Sequence, residues 1–596
     1  MTEFTTRPDI RGTFGVVTST HWIASAVGMS ILEKGGNAFD AAVATGLVLQ
    51  VVEPHLNGPA GDLPAIFLSA EAGIGVVAAQ GPAPQGATIE HYRDRGLTLI
   101  PGSGLLSTVV PGAFDGWMLM LRDHGTMTLR EVLSPAIGYA RDGHPILPRV
   151  ANTIAGLAEY FATEWPSSAE TWTPGGTSPE ANALFRNPDL AATYERLVEA
   201  GEAAGEDRTH QIDAARTEWA EGFVARAIFD YLETAEVHDV SEGRNRAVLA
   251  PADMADWRAE FEAPLSYEYH GWTLNKTGPW GQGPVLLQSL AILKHTDIAN
   301  MDPLGAEFVH TVIEAMKLSY ADREAYYGDP KQSDVPMEHL LSDAYNAERA
   351  ALIGPEASTE QRPGRVPGFE RQADAYVERA ARDFGVSDAG AQEPTMAHLT
   401  EKKGDTVHLD VIDRWGNCVA ATPSGGWLQS NPVIPGLGFP LNSRAQMFWL
   451  EEGLPTSLAP GRRPRTTLTP TIAEHENGDR LAFGTPGGDQ QDQWQLIWFL
   501  RFVHHGLGLQ QGMDAPLFHS MHFQGSFFPR AVKTAEMMIE PAFGETVIDD
   551  LRARGHVVTV AEPWTIGRLT AAHRTADGQL SAAATPRLMQ AYAVGR

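Results

Sequence analysis

The residue whose setting best suits chemistry is Thr406. It stands where a stretch rich in Pro, Gly, Gln and charge, 354–404, gives way to an alternating run, 406–413. In that run Val407, Leu409 and Val411 face one side, and Thr406, His408 and Asp410 face the other, the pattern of a half-buried strand. A threonine hydroxyl is a poor nucleophile at neutral pH and needs a base within hydrogen-bond reach. Cutting the chain just before the threonine supplies one, because its own α-amine, with a pKa of about 8, then becomes that base. A leader ending at Asp405 and a threonine opening a strand provide the arrangement. By itself such a threonine is more often present for its β-propensity, so the remainder of the chain has to decide.

The elements that must position it are legible in outline. An apolar strand opens at Gly15, and a helix spans 24–34, with Val27 and Ile31 one turn apart and a stop at Gly35-Gly36. Asn37 caps a second helix, 38–52, apolar nearly all round and therefore expected to be deeply buried. The loop HLNGPAGD, 55–62, has glycines that allow close backbone approach to a ligand or to another segment. A third helix covers 306–328, with Val309, Val312, Ile313, Met316 and Tyr320 on one face. The 354–404 stretch reads as a mobile surface segment with one helix, 373–384. After the 406–413 strand, a turn at 414–417 leads into a returning strand, 418–422.

Composition excludes several functions. A formal net charge of −29 repels phosphate backbones and argues against a nucleic-acid partner. A single cysteine, Cys418, allows no intrachain disulfide and no cysteine-based zinc site. The opening residues lack the basic start and apolar run of a signal peptide, and no stretch of about 18 apolar residues suggests a membrane span. These observations give the expectation of a cytoplasmic protein. No metal or nucleotide signature is present, and no cofactor is implied.

Six blocks in order then resemble the γ-glutamyltransferase (glutathione hydrolase) family of N-terminal-nucleophile hydrolases. They are 15–55, VPGAFDGW at 110–117, IEAMKLSYADREAYYGDP at 313–330, DTVHLDVIDRWGNCVA at 405–420, RPRTTLTPT at 463–471 and GTPGGDQ at 484–490. The resemblance implies an α+β fold, a four-layer αββα sandwich, and a precursor that cuts itself into two subunits forming one structural unit. The large subunit would be 1–405, with 354–405 as the mobile pre-cleavage segment, and the small one 406–596. Thr406 would be the agent of cleavage at Asp405–Thr406 and the later nucleophile. Gly487 and Gly488 fall on the family's oxyanion-hole glycines, and two converging N–H groups at such a site contribute several kcal/mol. Ser424 falls where the family has a second hydroxyl beside the nucleophile. Thr466 and Thr467 fall on two serines that contact the substrate carboxylate.

The departures lie in the specificity shell. Gln80 stands at the arginine that pairs with the glutamyl carboxylate, and a neutral amide cannot replace a charged fork. Met447 stands at the aspartate that pairs with the amine, and Gly426 at a supporting asparagine. Ala60 and Val407 replace a common glycine and a common threonine. Arg444 occupies a usually uncharged position close to the substrate and is the candidate replacement anchor, against the alternative of a surface ion pair. The 447–466 loop is short, which suggests an open site. The expected function is hydrolysis or transfer of a γ-glutamyl or related acyl group from a small-molecule amide. Two alternatives stand beside it: an amidase for a small acid amide, and an uncleaved, non-catalytic homologue. The two subunits are the expected partners, no membrane is, and a homodimer is left open.

Overall fold

A computed structural model describes residues 4–382 and 406–596. Two seven-stranded antiparallel sheets form its centre. The first runs, edge to edge, through Tyr592–Gly595, Gly15–Ser19, Leu409–Asp413, Cys418–Ala421, Leu63–Ser69, Gly73–Ala79 and Glu260–Glu262. The second runs through Ile10–Gly12, Leu580–Ala584, Thr570–Arg574, Arg480–Gly484, Thr471–His475, Trp272–Lys276 and Leu265–Tyr269. Both sheets mix strands from before and after residue 406.

The sheets meet through a layer of small and branched side chains that includes Val16, Ile66, Ile412, Cys418, Ala420, Ile472, Ala482 and Ala572. Alanine and valine at these positions let the two faces approach closely. On the outer face of the first sheet, Val17, Val407, Leu409 and Val411 share a core with the helices Trp22–Glu33, Ala38–Val52 and Ala113–His124. On the outer face of the second, Leu274, Ala473, Leu481 and Phe483 share one with Pro284–Leu293, Ala306–Tyr326 and Gln491–His505. The order of layers is αββα, as the resemblance implied.

The local signals explain the early helices. Asn37 caps Ala38–Val52 with a full capping box: its side chain accepts from the Phe39 and Asp40 amides, and the Asp40 carboxylate receives the Asn37 amide. Every residue of that helix is buried. Two expectations need correction. The 406–413 run is buried on both faces, not half-buried, because the second sheet covers the side that a lone strand would show to water. Part of the stretch read as a surface segment is packed: in the helix Glu370–Arg382, Ala373, Tyr376, Arg379 and Ala380 are buried. One of its arginines, Arg379, is buried there and stands 3.8 Å from the Glu324 carboxylate. Asp405 and the rest of 383–405 lie outside the described residues.

Candidate active site

Thr406 sits at the foot of the Leu409–Asp413 strand and forms an isolated antiparallel bridge with Ser424. Its hydroxyl donates to the Ser424 hydroxyl at 3.2 Å, and both residues are fully buried. The Val407 amide donates to the Pro423 carbonyl at 3.2 Å, which extends the hairpin down to Thr406.

The Gly-rich loop closes on the same place from the other side. Asp62 and Ser424 exchange both backbone hydrogen bonds, at 2.8 and 3.1 Å. A Cβ on Gly61 would stand 2.1 Å from the Ser424 carbonyl oxygen. The close approach foreseen for this loop is therefore to another segment of the chain, the one that carries Ser424.

Behind Thr406 the polar face of the strand forms a continuous chain. His408 Nδ1 is 2.8 Å from the Thr422 hydroxyl, and His408 Nε2 is 2.8 Å from Asp410 Oδ1. Asp410 Oδ2 accepts from the hydroxyls of Thr18 and Thr570, each at 2.7 Å. All five residues are buried. Such a network, with its partners supplied by both sheets, fixes the strand more firmly than apolar packing alone. It also ties the strand to the loop that carries Gly487 and Gly488, because Thr570 pairs with Gly484, three residues before Gly487.

Gly487 and Gly488 have φ of +140° and +56°, both in the left-handed half of backbone space. The loop is held from below. Asp489 accepts from Arg323 Nη1 and from the amide and hydroxyl of Ser526, while the Tyr320 hydroxyl donates to the Asp489 carbonyl. Lys276, buried beside it, donates to the Thr469 and Thr471 hydroxyls at 2.7 Å each and pairs with Asp492 at 3.0 Å. Burial lowers the Lys276 pKa, and Asp492 offsets part of that.

Thr466 and Thr467 are buried. Thr466 joins Gly281 in a parallel bridge, and the Thr467 hydroxyl has no hydrogen-bond partner among the described residues. Gln80 is fully buried, and both ends of its amide also lack partners among the described residues. Buried polar atoms left unsatisfied in this way have the chemistry to meet a ligand.

Arg444 is not at the surface. It is 1 % exposed and forms a buried ion pair with Asp62, with Nη2 at 3.0 Å and Nε at 3.3 Å from the same carboxylate oxygen. Its Nη1 lies against the Met447 sulfur at 3.8 Å. Burial pushes the Asp62 carboxyl above its ordinary range, and Arg444 offsets part of that rise. Asp62 is the site residue that sequence reasoning missed. Its signal was present as the lone acid closing HLNGPAGD, but its partner is 382 positions away. The open site expected from the short 447–466 loop is not found either: Thr406, Ser424, Gln80, Thr466, Thr467, Gly487 and Gly488 are all buried.

Comparison with known proteins follows the same lines. The profile of the family described as Gamma-glutamyltranspeptidase matches residues 24–595. The solved structure of LmbA2991HD is 50% identical, covers 100% of both chains and superposes with a TM-score of 0.92. The cephalosporin acylase from Bacillus halodurans is 26% identical over 100% of this chain and 98% of its own, with a TM-score of 0.81. The oxamate amidohydrolase proenzyme of Klebsiella pneumoniae is 30% identical over 96% of this chain and 97% of its own.

Proposed function

The chain belongs to the γ-glutamyltranspeptidase family, and from that premise we propose that it is an autoprocessed amidohydrolase or acyl transferase whose nucleophile is Thr406. In the first stage the Thr406 hydroxyl attacks the Asp405 carbonyl carbon. The acyl group passes from nitrogen to oxygen, and water opens the resulting ester, leaving 1–405 and 406–596. In the second stage the freed α-amine of Thr406 takes the hydroxyl proton as the oxygen attacks a substrate amide. The amides of Gly487 and Gly488 receive the developing oxyanion. The leaving amine departs, and water or an acceptor amine releases the acyl group from Thr406.

The observation that carries this reading is the Thr406–Ser424 hydroxyl contact at the foot of a strand locked by His408 and Asp410. A hydroxyl at 3.2 Å can accept the nucleophile's proton-bearing edge and keep its rotamer fixed. The test is a denaturing gel with N-terminal sequencing of the purified protein. Two fragments, the smaller beginning at Thr406, are expected. Thr406→Ala should give one full-length band and lower amide hydrolysis by about a thousandfold or more. A variant that still splits at this position would sink the proposal.

A second reading of the substrate, a small acid amide, is favoured by the anchors. With Nε and Nη2 held by Asp62, Arg444 has only its Nη1 edge to offer a carboxylate, and Gln80 brings no charge. The relative named as an oxamate amidohydrolase agrees with that reading. Turnover of γ-glutamyl anilide measured against oxamate and other short amides separates the two.

A further inference from the structure

The helix Ala306–Tyr326 lies in the layer outside the second sheet, yet two of its side chains reach the loop that carries Gly487 and Gly488. Tyr320 and Arg323 stand three residues apart, a spacing that puts both on one face of the helix. Both are fully buried. The Tyr320 hydroxyl donates to the Asp489 carbonyl, and Arg323 Nη1 donates to the Asp489 carboxylate at 2.5 Å. The same Nη1 donates to Gln282 Oε1 at 2.7 Å. That contact leaves the Gln282 amide nitrogen facing the Gly488 and Asp489 carbonyls, 3.5 Å from each, and it supports Asp492 as well. Ser526 completes the hold on the Asp489 carboxylate, through its amide at 2.9 Å and its hydroxyl at 2.6 Å.

These contacts decide where the N–H groups of the loop point. Two successive glycines have wide backbone freedom, so their orientation must be imposed by what holds their neighbours. The peptide bonds here are trans, and in a trans peptide the C=O and N–H point in opposite directions. The Pro486 carbonyl accepts the Thr485 hydroxyl at 2.7 Å, the Gly487 carbonyl accepts the Gln490 amide at 3.1 Å, and the Gly488 carbonyl accepts the Gln491 amide. Each of the next N–H groups, those of Gly487, Gly488 and Asp489, is thereby turned the other way. None of the three has a hydrogen-bond partner among the described residues.

We infer that Tyr320 and Arg323 are positioning residues for catalysis: by locking Asp489 and, through Gln282, the Gly488 carbonyl, they hold the Gly487 and Gly488 N–H groups in the orientation that receives the oxyanion. The inference rests on the reading of those amides as oxyanion donors and of Thr406 as the nucleophile. Arg323 also neutralises Asp489, a carboxylate beside the donors that would otherwise oppose a developing negative charge. The task is shared across the proposed cut, since Gln282, Tyr320 and Arg323 precede residue 406 and the loop follows it.

The experiment uses processed protein, with kinetics on γ-glutamyl anilide and oxamate and with phenylboronic acid titrated by calorimetry. In the boronate adduct the boron takes the Thr406 oxygen, the hydroxyl proton passes to the α-amine, and the tetrahedral, negatively charged boron presents an oxygen where the oxyanion would lie. Tyr320→Phe, which removes only a hydroxyl, should lower kcat about tenfold, and Arg323→Lys about 10- to 100-fold, each with KM within about twofold. Boronate affinity should fall by the same factor as kcat, a readout that a merely structural role would leave unmoved. Melting curves show whether each variant is folded, and Tyr320→Phe carries the test should Arg323→Lys not fold. Unchanged kcat and boronate affinity in a folded Tyr320→Phe, or effects confined to KM or Tm, overturn the inference. Boronate binding that Thr406→Ala leaves undiminished, or a wild type that neither turns over an amide nor binds boronate, overturns the catalytic reading instead, and the inference with it.

Discussion

The Thr406 hydroxyl donates to the Ser424 hydroxyl across 3.2 Å, in a bridge that places the two residues directly opposite on neighbouring backbone segments. Ser424 is in turn clamped by both of its backbone hydrogen bonds to Asp62. The partner of Thr406 is thus as rigid as the strand itself. Ser424→Ala removes the contact without disturbing those backbone bonds. We predict a fall in kcat of about 10- to 100-fold with KM little changed, measured on processed protein. A change confined to KM would mean that Ser424 serves substrate binding only.

Gly487→Ala should be inactive although folded. The added methyl would stand 2.3 Å from the Trp494 ring, and φ of +140° is unfavourable for alanine. The loop must then rotate, and the two amides proposed as oxyanion donors move with it. Loss of an oxyanion donor costs about 100- to 1000-fold in kcat. Kinetics together with a melting curve will show whether the defect is local.

The Arg444–Asp62 pair separates structural from substrate-binding roles. Arg444→Met alone leaves the Asp62 carboxylate buried without its cation, a loss of about 3–5 kcal/mol in stability. Adding Asp62→Asn should restore most of the melting temperature. If Arg444 also holds a substrate carboxylate, KM for carboxylate-bearing amides stays high in the restored double variant. Recovery of KM along with stability would assign Arg444 a structural role only.

Acid should weaken the fold through its buried histidines. His522 Nδ1 accepts the Ala535 amide at 2.8 Å, and burial, reinforced by Lys317 and Arg362, pulls its pKa from 6.5 to about 3. The folded state keeps the ring neutral, whereas the unfolded chain binds a proton below about 6.5. Stability is therefore complete above that pH and declines as pH falls from 6.5 towards 3. Calorimetric melting from pH 7 to 4 should show the decline, and His522→Gln, while less stable at pH 7, should show a slope smaller by one proton.

What the sequence made legible followed from local rules. The 38–52 helix was marked by Asn37 and a run apolar nearly all round, and the structure gives Ala38–Val52 with the complete capping box. The alternation of 406–411 correctly put Thr406, His408 and Asp410 on one face. Alternation cannot report what lies against that face, and here Thr18 and Thr570, 392 and 160 positions from Asp410, join Thr422 of the returning strand in meeting it. Arg444 was singled out by type and position, but its partner Asp62 is set by tertiary packing alone.

The interleaving of the sheets has a further consequence. In the first sheet, Leu409–Asp413 lies between Gly15–Ser19 and Cys418–Ala421, and Cys418–Ala421 in turn abuts Leu63–Ser69. In the second, Thr471–His475 is hydrogen-bonded to Trp272–Lys276. Severing the backbone before Thr406 would therefore release nothing. The two pieces could part only by tearing strand from strand in both layers, so their separation would carry the activation barrier of global unfolding. Once separated, each piece would hold sheets with vacant lanes and exposed apolar faces. Maturation by such a cut would be a one-way step, and the matured protein would owe its integrity to how slowly it comes apart.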